Sequence, residues 1–326
     1  MAKVGSAQIP FFLVGGRDLL GVVTDFTEET EALTEETTPL GAGAQTHGAV
    51  GLVKASLQQN GFYDDAAGLS NEALAGKEAV AQLVAYGVEG NLAGKGFVGL
   101  AGAYAAKYSR VAARGALHKA NASYTVSGAK DEGVILHPLA AEAAAGNTQT
   151  TSVDRAAETM VTKIPIATSS VANPTVITTV VPHGLTTGDV VVITGHAGST
   201  PAINGAYTVT VTGSSTFTIP VNVTVSGTGG TVVRAASTNG GYGHLHVKSL
   251  TLGGYTNLTV LLKHSLDNVT FVTLGTFTVV TASPIAERLA IAAGTAVYRY
   301  LASSWSFTGA GSNPSATFLV GFKRDA

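Results

Sequence analysis

The chain has 326 residues, 45% hydrophobic and 12% charged, with 19 basic and 21 acidic groups, a net charge of -2 and no cysteine. Balanced charge argues against a basic nucleic-acid clamp, and the missing cysteines exclude disulfides, thiolate metal sites and a cysteine nucleophile. Apolar content this high argues against disorder, and a charged share about half the usual one suggests a surface partly covered in an assembly. No run of 18 apolar residues supports a membrane span. The opening Met1-Ala2-Lys3-Val4-Gly5 lacks the apolar core of a signal peptide, so a soluble chain made in the cytoplasm is expected.

Strand-like runs bounded by Gly, Asn, Pro or Ser dominate in chain order. They are Phe11 to Val23, Val50 to Gln58, Phe97 to Tyr108, Ser123 to Val126, His244 to Leu252, Leu258 to His264, Val269 to Val280, Val297 to Leu301 and Thr317 to Phe322. The alternation in His244-Leu245-His246-Val247-Lys248 predicts an antiparallel sheet exposed on one face. One helix is expected: Ser70-Asn71-Glu72 offers a cap with an acidic first turn, Leu74, Val80, Ala81, Leu83 and Val84 share a face, and Gly87 closes it. Pro138 to Ala145, short and alanine-rich, reads as a helical turn or loop.

Composition changes between about Ile166 and Ala236, where Thr and Val alternate. From Val171 to Ala236 the charges are Asp189 and Arg234 alone. Short strands (Thr175 to Val181, Asp189 to Thr194, Ala206 to Thr212, Phe217 to Ile219 and Gly230 to Arg234) are separated by turn signals such as His183-Gly184 and Asn204-Gly205. That rhythm predicts a small β-barrel or sandwich at 167–236, inserted between a first segment, 1–166, and its continuation, 237–326.

No catalytic constellation is apparent. His244-x-His246 puts two imidazoles on one strand face, a possible metal pair. No third ligand stands at a matching spacing, and surface strand residues are the plainer reading. Ser265-Leu266-Asp267 after His264 lacks a nucleophile elbow, and Gly94-Lys95-Gly96 and Gly41-Ala42-Gly43 lack the P-loop ending. Asp64-Asp65 reads as a cap for the segment after it. The main charge feature is the acidic run containing Asp25, Glu28, Glu29, Glu31, Glu35 and Glu36. It is either a solvated loop or strand edge, or an acidic surface facing a polyanion or a basic patch on a neighbouring subunit. Lys323-Arg324, Arg110 and Arg114 are candidate complements.

Four stretches together resemble the major tail tube proteins of long, flexible-tailed bacteriophages. They are Val14-Gly15-Gly16-Arg17-Asp18-Leu19 leading to Asp25-Phe26; Gln59-Asn60-Gly61-Phe62-Tyr63-Asp64-Asp65 before the helix; and the terminal strands around Leu262 to Phe271, Glu287-Arg288, Tyr298-Arg299-Tyr300 and Val320 to Arg324. The fourth, His183-Gly184-Leu185-Thr186-Thr187-Gly188-Asp189 with Ile203 to Val209 and Thr216-Phe217-Thr218, resembles a small β-module recurrent in phage tail and fibre proteins.

The resemblance implies a mainly β fold: an antiparallel β-sandwich with one flanking helix, contributing to a hexameric β-barrel ring and carrying an inserted β decoration domain. It implies a structural virion protein of the tail, made in the host cytoplasm, with no enzymatic site and no cofactor. Its rings would stack into a tube that conducts double-stranded DNA. The implied partners are further copies of itself, the tape measure protein and the tail terminator or distal tail proteins, with no membrane. The acidic run would then meet the adjacent ring or reach the lumen. Even without the insert the chain is large for a minimal tube subunit, so extra strands or loops around Ala129 to Thr162 are expected. Two other classes compete: a tail decoration or fibre-type protein binding host glycans, which clustered aromatics would favour, and a β-rich hydrolase, for which no nucleophile and base pair is found.

Overall fold

The computed structural model describes residues 9–36, 47–78, 80–143, 146, 148–154, 163–237, 240–266 and 268–325, and the side chains of 32–36, 47–53 and 235–237 fall outside that description. The fold is mainly antiparallel β. The first run of strand formers breaks at Gly15-Gly16, whose φ of +56° and +87° suit glycine. It becomes a hairpin of β1 (Phe12–Val14) and β2 (Arg17–Asp18). A long hairpin comes next, β3 (Val23–Glu36) with β4 (His47–Gly61).

The helix is much shorter than its apolar spacing suggests. α1 covers Ser70–Leu74, Gly76 takes φ +69° just beyond it, and the segment expected to complete the helix is strand β5 (Ala81–Gly87). Nor does Ser70 act as the cap. Its hydroxyl donates to the Phe62 carbonyl and accepts from the Asp64 amide, while Asp64 Oδ1 accepts from Ala66 N. Then come β6 (Gly96–Val111), β7 (Lys119–Val126) and β8 (Lys130–Glu142). β8 corrects the helical turn expected at Pro138: this proline sits in a strand that bulges where it pairs with the C-terminal strand.

Two short strands, β9 (Thr148–Gln149) and β10 (Val153–Asp154), precede the Thr/Val-rich segment. That segment forms β11 (Ile164–Ser169), β12 (Thr175–Thr179), β13 (Val190–Thr194), β14 (Gly205–Thr208), β15 (Thr210–Gly213), β16 (Thr216–Ile219) and β17 (Thr231–Ser237). Ile177, Ile193, Ile203, Phe217 and Val232 lie in its own apolar centre. The two charges of 171–236 find each other: Arg234 donates to Asp189 at 2.8 Å with both side chains buried. Asp189 also accepts from Thr186 N, closing the loop. His183 accepts from Leu185 N and reaches the Thr216 carbonyl.

The remaining strands are β18 (Gly241–Thr251), β19 (Asn257–Ser265), β20 (Val272–Thr276), β21 (Ile285–Ile291), β22 (Val297–Tyr298), β23 (Tyr300–Thr308) and β24 (Ser315–Arg324). Val269 to Val280 is thus strand over its middle alone, and Val297 to Leu301 splits. Its first half, β22, joins β17, and its second half begins β23, beside β19.

One sheet runs β2-β1-β5-β6-β8-β24-β18-β21, with β7, β4 and β3 continuing from β6. It curls nearly closed: Gly16 lies so near β21 that a Cβ there would stand 2.4 Å from the Ile285 carbonyl oxygen. Lys248 of β18 reaches Asp18 of β2 at 3.0 Å. Inside the curl lie Phe11, Leu13, Ala85, Phe97, Ile135 and Leu319. On its outer wall, Leu245, Val247, Phe318, Val320 and Phe322 pack against the second sheet, β10-β23-β19-β20, through Val260, Leu262 and Trp305. Closure overturns the one-sided exposure expected of β18. Leu245 and Val247 face the second sheet, His244 and His246 face the enclosed side, and all four are buried.

Candidate channel and assembly face

The strands β3, β4, β7 and β6 form a four-stranded sheet with two unlike faces. One face carries Ala55, Leu57, Ala103, Ala105, Ala122, Tyr124 and Val126, packed on α1 and on the outward side of β1 and β5 through Leu74, Phe12, Val84 and Tyr86. At roughly 25 cal/mol per Å² of apolar area buried, this face fixes the register, because a one-residue slip would turn it to water. The opposite face is polar by the same alternation. Thr27 lies across from Gln58, Gln58 from Ser123 and Ser123 from Lys107. In the next row Glu29 faces Ser56, Ser56 faces Thr125 and Thr125 faces Tyr104. Hydroxyls and amides dominate it.

The acidic run divides between the two faces. Glu29 and Glu31 are exposed on the polar face, where Glu31 stands opposite Lys54. Asp25, also exposed there, accepts from Asn60 Nδ2 at 2.7 Å. Glu28 turns inward beside Phe26, whose ring packs on Phe12 and Tyr86. There Lys130 pairs with Glu28 at 2.8 Å and the Tyr86 hydroxyl donates to it. Burial pushes the Glu28 carboxyl up, but the hydrogen bonds and charge of its partners outweigh it and hold the group below the ordinary range. Burial, then the neighbouring carboxylate, raises the Tyr86 phenol. Glu35 and Glu36 pair through their backbones with Gly48 and His47, and their side chains lie outside the described residues. The run is therefore an edge strand with at least one structural carboxylate.

Of the candidate complements, the C-terminal pair is committed elsewhere. Lys323 pairs with Asp325 at 2.9 Å and Asp131 at 3.6 Å. Arg324 donates to the carbonyls of Val297 and Tyr298, anchoring β22. Arg110 and Arg114 are exposed near the β6–β7 turn, with Arg110 against the rings of Tyr63 and Tyr108.

The histidine pair is buried rather than on the surface. His244 Nε2 lies 2.8 Å from Asp131, which also takes Arg288 Nε at 2.6 Å, and Arg288 lies over the Tyr242 ring at 3.5 Å. Burial raises the Asp131 carboxyl, but His244 and Arg288 together hold it far below its usual range. Both ring nitrogens of His246 lack a hydrogen-bond partner, and burial lowers its pKa to about 3. Among the described residues no three His, Asp or Glu groups stand together as metal ligands. His264 accepts from Tyr298 N and stacks on its ring, and burial and the Arg324 charge lower it to about 4. Asp267 lies outside the described residues, as does Gly41-Ala42-Gly43. Gly94 and Lys95 hydrogen-bond through their backbones to β8 at Ile135.

No family model matches the chain, and neither does any curated protein. Among solved structures, a chain from the virion of a native gene transfer agent particle overlaps at 12% identity and TM-score 0.30, over 40% of this chain and 98% of that one. A chain from the tail of an empty gene transfer agent particle, of C6 symmetry, overlaps at 13% identity and TM-score 0.31, over 40% and 97%. The SPP1 Dit protein, described as a paradigm of hub adsorption apparatus in phages of Gram-positive hosts, overlaps at 8% identity and TM-score 0.28, over 97% and 99%. At such scores the overlap is loose, and no role follows from it.

Proposed function

We propose that this chain is a structural protein of a phage tail, a non-enzymatic tube subunit. Its copies close into rings, six by the resemblance, and the polar face of β3-β4-β7-β6 lines the channel through which double-stranded DNA moves. The observation that carries the reading is that face. Its Ser, Thr, Asn and Gln side chains hydrate well, and its exposed Lys54, Lys107 and Lys119 are matched by Asp25, Glu29 and Glu31, so the face offers a polyanion no net attraction. The buried reverse face holds the wall in shape. The sequence resemblance points the same way, and the insert 167–236 would project from the outside. Tape measure and terminator proteins are the partners this role requires.

The absence of native cysteine makes a direct test simple. Thr125→Cys on the polar face and Thr273→Cys on β20 are labelled before and after assembly with a small maleimide and with one on a carrier too wide for a channel. In the assembled protein Thr125→Cys should keep its reaction with the small reagent and lose the large one, while Thr273→Cys keeps both. Equal labelling of the two positions by the large reagent would refute the lumen placement.

A further inference from the structure

The curled sheet ends on β2 at one side and β21 at the other, and among the described residues no backbone ladder joins the two. Across this seam Gly16 abuts the Ile285 carbonyl, and Lys248 of β18 holds Asp18 of β2 at 3.0 Å. On its far side β2 is tied to α1 by Arg17 and Glu72 at 2.7 Å. Lys248 and Glu72 are exposed, and exposed ion pairs hold weakly. A cleft of about 390 Å³ runs along the seam, lined by Arg17, Gly68, Leu69, Lys248, Ser249 and Pro284, so water reaches its outer side. On the enclosed side stands His246, across from Leu319 of β24 and from Ala286 of β21, the residue after Ile285. Its imidazole is fully buried, and neither ring nitrogen has a partner.

We infer that the seam is an acid-operated gate: when His246 takes a proton, the curl parts between β2 and the β18–β21 pair while its ladders stay formed. A charged imidazole needs a carboxylate or water, and the strands packed around His246 offer it no carboxylate. Phe11, Leu13, Ala85, Phe97 and Ile135 are apolar. Asp131 of β8 is taken by His244, Arg288 and Lys323, Glu287 of β21 by Thr278 and Asp18 of β2 by Lys248. The other ionisable groups on the neighbouring strands, His244, Arg288 and Lys323, are bases. Water is the remaining partner, and the seam is where it can pass between strands without breaking a ladder. Burial keeps His246 uncharged while the curl is closed, so acid favours the open form. The latch itself is ionic, so salt weakens it as well.

The gate lies within one subunit, so dilute full-length protein tests it whether or not rings form. Ala85→Cys places a thiol in the enclosed interior and Val260→Cys one between the two sheets, both at fully buried positions. Each is probed with a pyridyl disulfide, which reacts in acid, and each rate is divided by that of Thr273→Cys on β20. Between pH 7 and pH 5 the Ala85→Cys ratio should rise roughly 20–30-fold, the share of open molecules that protonation of one ordinary imidazole adds. Val260→Cys should stay protected. The rise should vanish in His246→Leu and in His246→Gln, which keeps a polar, uncharged side chain. It should also vanish when Asp18→Cys and Lys248→Cys are first joined across the seam by a short bis-maleimide. A flat Ala85→Cys ratio, or a rise that survives the cross-link, overturns the gate. An equal rise at Val260→Cys means that the whole body unfolds, and a rise in both His246 variants means that another group is the trigger; either result also refutes the proposal.

Discussion

Acid should destabilise this fold through His246. The residue is fully buried with neither ring nitrogen paired, and its pKa is lowered to about 3 by burial, with a smaller contribution from His244. In the unfolded chain the imidazole titrates near an ordinary value of ~6.5. Between those values the unfolded state binds a proton that the folded state refuses, so stability falls as pH falls. The stabilisation is complete above about pH 6.5 and is lost at about 1.4 kcal/mol per pH unit below it, or roughly 2 kcal/mol at pH 5. His264, lowered to about 4, shifts stability in the same direction. Denaturant unfolding at pH 7 and pH 5 should be compared for the parent and for His246→Leu, which keeps bulk and removes the titration. The variant should lose about 2 kcal/mol less than the parent between the two pH values. Equal losses in both would show that His246 protonates without opening the barrel.

Gly99→Ala should destabilise the curled sheet by about 1–3 kcal/mol, because the new Cβ would lie 2.4 Å from the His244 ring; a thermal melt checks it. Glu28→Gln should cost stability in the order of 1–3 kcal/mol by weakening the Lys130 and Tyr86 bonds, whereas Glu29→Gln should stay within about 0.5 kcal/mol in the same melts. Asp189→Ala leaves the buried Arg234 without this carboxylate. Hydrogen exchange should then accelerate through 164–237, consistent with a loss of about 3–5 kcal/mol, and change little in β18 and β24.

Strand content was legible because Val and Thr alternation survives in place, and the acidic run was legible because its residues adjoin. Elements that depend on distant partners were not. Leu74 to Val84 fits a helical stripe, yet Gly76 at φ +69° stops it and the edge of β6 recruits the rest as β5. β18 looked half-exposed because nothing local announces that the sheet will curl and enclose His244 and His246. The polar face is spread over four strands, and in sequence each part is only a short alternation, as in Lys54 to Asn60 and Lys119 to Val126. The Asp189–Arg234 pair had a usable signal: two opposite charges isolated in a neutral, folded segment have every reason to meet.

The proposed tube role stands or falls with assembly of copies of this chain around a polar channel. Electron microscopy of the purified protein at high concentration, with native mass spectrometry of the same sample, tests it most directly. Closed rings of uniform copy number with a central opening, stacking into tubes, are the expected result. A monodisperse monomer at every concentration would contradict it.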